Sequence, residues 1–465
     1  FLDYSTRELR EAACHREVEL NRRLAPDAYL GVADVTDPDG QRCDHLVVMR
    51  RMPPERRLAQ LVRDRAADLP DQLDALAEVL ARFHASAERG PHIDAAASPD
   101  AVAQLWDRNL VELHEVAAGL LDERSVDRAG ELGRRFIAGR APLFEERIAG
   151  GWICDGHGDL QAEDVFCVPE GPQILDCIDF DDTLRYGDVA LDVAFLAMDL
   201  ERLGAPDEAR AFLHGYERHS GAELPAPLVH LYLAHRALVR AKVHCLRARE
   251  GLDDTSATQA AALVELAARH LEQARVRLIL IGGTPGTGKS TVAGALGDEL
   301  GATLLNSDVI RKATAGIPPG EHHEIPFETG LYASEVTDAL YRRLVELARS
   351  ELERGRSVVL DASWRSAAHR QLARQAARDT MSDLVELRCV APAEIAAARI
   401  TRRLAAGTGV SDATPAIAAR MADTFDAWPE AGELDTSSPL NATIGRAISL
   451  IRVAPGTADD RDADR

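Results

Sequence analysis

Residues 283–290 read Gly283-Thr284-Pro285-Gly286-Thr287-Gly288-Lys289-Ser290, and Thr291 follows. Glycine at these positions lets backbone N–H groups curl around an anion with no Cβ in the way. A lysine at this spacing reaches the β- and γ-phosphates of a nucleoside triphosphate, and the next hydroxyl reaches Mg²⁺. The flanks suit this chemistry. Residues 278–283 are apolar or glycine, as in a buried parallel strand. Residues 292–300 form a helix-favouring run whose N-terminal amides and positive dipole end meet the same anion. The stretch 283–291 is therefore expected to cradle ATP with Mg²⁺.

Further groups follow at intervals that fit an open parallel sheet, where ligands sit at the carboxyl ends of strands. A short strand at 303–305 leads to Asp308, placed to meet a substrate hydroxyl, and Arg311 stands one helical turn on. A strand at 357–360 closes on Asp361, whose carboxylate suits Mg²⁺. A helix at 393–406 carries Arg399, Arg402 and Arg403. Arg399 and Arg402 are three apart and share a face, so they could close on a transferred phosphate. The loop 313–330 is rich in Gly, Pro, His and Glu and has the length of a lid. Its His322 and His323 lack partners at metal-ligand spacing.

A second set of carboxylates lies upstream. A strand at 152–155 precedes His157-Gly158-Asp159, with Asp164 five residues beyond Asp159. After a turn at 170–172, an apolar strand at 174–178 ends in Asp179, and Gly187, Asp188 and Asp192 stand nearby. Asp159 could accept a hydroxyl proton, while Asp164 and Asp179 could hold Mg²⁺ on ATP.

This upstream pattern resembles the aminoglycoside phosphotransferase family, within the wider protein-kinase-like fold. The resemblance spans residues 1–250. It implies that Asp159 is the catalytic base and that Asp179 is a metal ligand. Where the family has a metal-binding asparagine this chain has Asp164, which adds a negative charge. Glu17 matches the helix glutamate that pairs with an ATP-binding lysine, and residues 47–53 match the hinge beside adenine. A glycine-rich loop and a strand lysine should precede that helix, yet the first sixteen residues contain no lysine. The small lobe is thus incomplete. The chain also opens on Phe1 rather than Met, which suggests a natural N-terminus further upstream. Residues 276–455 resemble the small P-loop kinases and AAA-type ATP-binding domains, such as gluconate kinase, polynucleotide kinase and zeta-toxin-type kinases. In those proteins an Asp after the second strand handles the acceptor hydroxyl, matching Asp308. Their arginine-bearing lid matches Arg399, Arg402 and Arg403, and residues 435–440 resemble a stretch near adenine.

The elements that must position these groups form two domains, 1–275 and 276–465. The first is α+β and largely helical, with a helix at 5–24 capped by Ser5 or Thr6 and strands at 28–35 and 44–49. Helices follow at 54–89, 99–148 and 225–275. His235, Arg236, Arg240, Lys242 and His244 give the last a basic cast, expected as a solvated face with core positions between. The second domain is α/β with a parallel sheet. A formal charge of −22 argues against binding nucleic-acid backbones or anionic membranes. Seven scattered cysteines without CxxC pairs fit reduced thiols in a cytoplasm. No apolar run approaches a membrane span. These features lead to an ATP- and Mg²⁺-dependent kinase acting on a small hydroxyl-bearing acceptor. A nucleotide-binding regulator and a nucleic-acid 5′-hydroxyl kinase remain as alternatives.

Overall fold

The computed structural model describes residues 3–251, 255–318, 329–406 and 411–453. His322, His323, most of the loop 313–330 and the charged tail beyond 453 lie outside the described residues. The chain divides into two compact units, Phe1–Ile137 with Phe144–Ala274, and Arg275–Arg465 with Ala138–Leu143.

In the first unit, helix α1 (Arg7–Asn21) begins where the Thr6 hydroxyl accepts from the Leu9 N–H at 3.3 Å. Strands β1 (Tyr29–Thr36) and β2 (Arg42–Met49) form an antiparallel hairpin. The Asp37 carboxylate closes their turn by accepting from the Asp39 and Gln41 N–H groups. Val18, Ala28 and Tyr29 pack with Phe166 and Leu175, so the hairpin rests on the segment that follows Asp164. The helices α2 (Leu58–Asp64), α3 (Leu69–Ser86), α4 (Pro91–Asp94), α5 (Pro99–Ala117), α6 (Glu123–Ala138) and α7 (Ala141–Ala149) come next. Four short strands then frame the upstream carboxylates. They are β3 (Ile153–Asp155), β4 (Val165–Val168), β5 (Gly171–Ile174) and β6 (Tyr186–Asp188), paired antiparallel as β3–β6 and β4–β5. Helices α8 (Val189–Arg202), α9 (Pro206–Ser220), α10 (Ala226–Arg249) and α11 (Ser256–Gln273) complete the unit.

Two expectations need correction here. The strand expected at 174–178 stops at Ile174, because its partner β4 is only four residues long. Beyond it Asp176 takes a left-handed φ of 65°. The Cys177 N–H then donates to the Asn21 side chain at 2.8 Å, and the Ile178 N–H to the His157 carbonyl at 3.3 Å. The basic stretch of α10 is not a solvated face. His235, Arg236 and His244 are buried, because α10 packs against α5, α8 and α11 at once.

The second unit is a five-stranded parallel sheet in the order β11-β10-β7-β9-β8. Its strands are β7 (Arg277–Gly282), β8 (Thr303–Asn306), β9 (Val358–Asp361), β10 (Asp383–Val390) and β11 (Gly432–Asp435). Helices α12 (Lys289–Leu300), α13 (Ser307–Thr314), α14 (Ser334–Glu353), α15 (Ala367–Asp379), α16 (Ala393–Ala406), α17 (Pro415–Asp423) and α18 (Leu440–Val453) connect and cover it. Ile279, Ile281, Val359 and Leu387 meet Val292, Leu296, Ala447 and Ile451 in its core. The central strand β7 is apolar throughout from Leu278 because it is covered on both faces. Among the described residues no helix is long and apolar enough to cross a membrane.

One buried carboxylate organises the first unit. Asp192 on α8 accepts from the His157 and Gly158 N–H groups at 2.7 and 2.9 Å and meets His84 Nε2 at 3.1 Å. Burial pushes its pKa up, but the His84 hydrogen bond and charge with the backbone donors overcome this and hold it far below the usual range. A depressed folded value stabilises the protein above the unfolded pKa near 4, and that stability is lost as pH falls through the folded value. Asp192→Asn should therefore cost about 3–5 kcal/mol at pH 7. The deficit should shrink toward pH 3, as read from urea unfolding at both pH values.

Candidate functional site

The carboxyl ends of β7, β8 and β9 open on a cavity of about 670 Å³. Its floor is the loop after β7. Gly283 and Gly286 have φ of 132° and 83°. A Cβ at Gly283 would stand 2.4 Å from the Cys389 carbonyl, and one at Gly286 2.4 Å from the Ala396 carbonyl. Glycine is needed here for both conformation and space. The Thr287 hydroxyl donates to the Thr284 carbonyl at 2.7 Å, and Lys289 Nζ reaches the same carbonyl at 3.1 Å. Lys289, Ser290 and Thr291 open α12 and line the cavity with Pro285, Gly286 and Gly288.

Asp361 ends β9 at 2% exposure. Burial raises its pKa, while the Lys289 charge and hydrogen bonds from Ser290 and Asn306 pull it down. Asn306 does two things. Its Nδ2 donates to Asp361 at 2.6 Å, and its Oδ1 accepts from the Asp308 and Val309 N–H groups, capping α13. The cap is therefore Asn306, which leaves the Asp308 carboxylate in the first turn and on the cavity wall. Arg311 lines the same wall, with its guanidinium 4.6 Å from the Tyr332 ring centre and Nη1 3.3 Å from the Thr337 hydroxyl.

Of the expected arginine pair, Arg399 is braced. It donates to the Thr436 carbonyl at 2.7 Å, the Thr436 hydroxyl at 3.1 Å and the Gly286 carbonyl at 3.4 Å. Arg402 lines the cavity, exposed and without a hydrogen-bond or ion-pair partner among the described residues. Arg403 holds the Ala413 carbonyl at 2.9 Å. Several lining groups escaped the sequence reading. Tyr341 stacks on His369 at 3.9 Å, and Asp412 meets Lys312 Nζ and the Tyr332 hydroxyl, each at 3.2 Å. Only folding brings these distant positions to one wall. Asp361 and Ser290 are hard oxygen donors that suit Mg²⁺.

In the first unit the loop after β3 carries Asp159 and Asp164. Besides Asp192, Asp199 holds it by accepting from the Ala162 N–H at 3.0 Å. Asp159 accepts from Gln161 at 2.8 Å. Burial raises its pKa, with Arg240 and Arg236 opposing. Asp164 is pushed up to about 7 by burial, then by the charges of Asp176 and Asp159. Burial also raises Asp179 and Glu17, and Asp176 adds to each shift. Asp176 is thus the common neighbour of Asp159, Asp164, Asp179 and Glu17. The sequence reading missed it because it lay inside an expected strand.

Glu17 has no lysine beside it. Of the chain's three lysines only Lys242 lies in this unit, and it pairs with Glu112. Among the described residues no three His, Cys, Asp or Glu side chains are close enough to hold a metal by themselves. An ion at either site would therefore need oxygens from a nucleotide or water.

Residues 3–228 match the phosphotransferase enzyme family, and residues 278–428 match an AAA domain family. Uncharacterized proteins of Mycobacterium tuberculosis and Mycobacterium bovis are 43% identical over 458 residues, covering 98% of this chain and 90% of theirs. Among solved structures, a sugar kinase from Janibacter is 21% identical over 39% of this chain and 96% of its own, with a TM-score of 0.29. An APS kinase of Mycobacterium tuberculosis in complex with AMPPNP and APS is 20% identical over 38% of this chain and 98% of its own, with a TM-score of 0.29. A choline/ethanolamine kinase family protein from Mesorhizobium loti is 17% identical over 58% of this chain and 83% of its own, with a TM-score of 0.37.

The carboxylate cluster makes a testable demand on stability. A folded pKa raised to about 7 means that the stability linked to the Asp164 proton is complete below the unfolded pKa near 4. It is lost as pH rises through 7. Asp164→Asn should melt at the same temperature as the native protein near pH 4 and several degrees above it at pH 8. Thermal unfolding in chelator at the two pH values checks this.

Proposed function

The chain belongs to the family of these mycobacterial proteins and joins a phosphotransferase-family domain to an AAA domain, and on that premise we propose that it is an ATP- and Mg²⁺-dependent kinase. Its acceptor is a small molecule with a hydroxyl group, and the second domain is the principal catalyst. One observation carries this reading. Lys289 and Ser290, suited to a donor's phosphates, share one cavity with Asp308 and Arg402, suited to an acceptor.

Each residue has a defined task. The backbone of 283–288 and the first turn of α12 bind the phosphates. Lys289 balances charge on the β- and γ-phosphates. Asp308 orients the acceptor hydroxyl and takes its proton. Arg402 offers a free guanidinium to the transferred group, and Arg399 braces the loop by tying Gly286 to Thr436. Ser290 and Asp361 would hold Mg²⁺, which when bound neutralises phosphate charge. Such chemistry asks mainly for positioning and electrostatics.

A metabolite screen with labelled ATP tests this. Asp308→Asn should lower transfer by about 10²–10⁴-fold and leave ATP affinity within a few-fold. Lys289→Ala should lose both. ATP hydrolysis without an acceptor, unaffected by Asp308→Asn, would instead support a nucleotide-binding regulator. Transfer to a 5′-hydroxyl oligonucleotide would support the nucleic-acid kinase, against which the charge of −22 stands. Loss of transfer only in Asp159→Ala would move the chemistry to the first domain.

A further inference from the structure

Helix α10 packs against α8, and α8 holds the Asp159 loop through Asp192 and Asp199. On α10, Arg236 and Arg240 stand one turn apart. Arg236 is 8% exposed. Its guanidinium lies 4.7 Å from the Phe195 ring centre, and its one hydrogen bond among the described residues runs from Nε to the Leu191 carbonyl at 3.4 Å. Arg240 Nε is buried with no hydrogen-bond partner. Neither arginine makes an ion pair among the described residues. Burial disfavours both guanidinium charges, and the nearby carboxylates of Asp159 and Asp192 for Arg236, and of Asp159 and Asp199 for Arg240, oppose that without a direct ion pair.

The carboxylates nearby are already engaged. Asp192 holds His84, His157 and Gly158, and Asp199 holds Ala162 and Arg202. Asp159 accepts from Gln161. Both arginines are near enough to Asp159 for their charges to oppose the effect of its burial. Among the described residues, the Nη atoms of both guanidinium groups are thus left without a hydrogen-bonded protein acceptor, one helical turn apart on α10 and near a loop carboxylate. Two guanidinium forks in this setting match the oxygens of phosphate or carboxylate and repel an amine.

We propose that Arg236 and Arg240 form a binding site for the phosphate or carboxylate group of a small molecule, seated beside Asp159 in the first domain. This goes beyond the kinase reading of the second domain and does not rest on it.

The test uses full-length Lys289→Ala protein, in which the phosphate site of the second domain is disabled. Calorimetry should detect binding of inorganic phosphate or of acetate, and the stronger of the two identifies the anion. Adding Arg240→Met should weaken that binding by roughly tenfold or more, and Arg240→Lys should restore part of it. Arg240→Met should melt within a few degrees of its parent, since Arg240 is half-buried and makes no ion pair or hydrogen bond among the described residues. That measurement separates loss of a site from loss of the fold. The proposal is overturned if neither anion binds, if Arg240→Met leaves binding unchanged, or if ATP displaces the anion. The last result would assign the arginines to the nucleotide.

Discussion

A strand buried on both faces must turn where it meets its neighbours, and β7 turns into a loop with no room for a Cβ. Gly283 lies against the Cys389 carbonyl and Gly286 against the Ala396 carbonyl. Pro285, Gly286 and Gly288 of this loop line the cavity with no bulky side chain from either glycine. The two close approaches also bind the loop to the rest of the sheet. Gly283 touches the end of β10, and Gly286 touches the start of α16. Arg399 on α16 then reaches back to Gly286 and to Thr436 at the end of β11. Lys289, Arg402 and Asp361 keep their places relative to one another through this one tightly packed turn.

The first unit solves a similar problem with charge instead of close packing. Its loop has backbone donors that no strand satisfies, so Asp192 and Asp199 on α8 supply the acceptors. Holding the loop this way brings Asp159 and Asp164 toward Asp176, with Asp179 and Glu17 beyond. Like charges gathered at partly buried positions raise one another's pKa values. The protein thus carries a standing electrostatic tension there, of the kind found where a cation or ligand completes a site. Arg236 and Arg240 on α10 bring the other sign near Asp159.

The contrast explains why the two sites differed in legibility. The nucleotide loop is a local device. Its glycines, lysine and serine are consecutive, and the strand and helix around it are consecutive too, so its spacing could be read along the chain. Asp308, Asp361 and the arginine helix follow from the rule that parallel strands end on one edge. The upstream site is assembled from short, irregular segments. Asp176 was hidden because an apolar run looked like a strand, whereas its backbone donors go to Asn21 and His157 instead. The basic stretch of α10 was read as a solvated face because periodicity cannot tell how many sides of a helix are covered.

From the sequence alone came the two-domain plan, the kinase-like helical region, the parallel P-loop sheet and the positions of the residues suited to phosphate. These rest on local propensity, strand and helix periodicity, and short motifs, all carried by neighbouring residues. Tertiary structure decided which arginine is braced and which is free, and that Asp176 joins the carboxylate cluster. It also decided that Arg236 is buried and Arg240 half-buried, both near Asp159. Those outcomes depend on which distant carbonyls, rings and carboxylates come within reach once helices pack, and spacing along a chain does not contain that information.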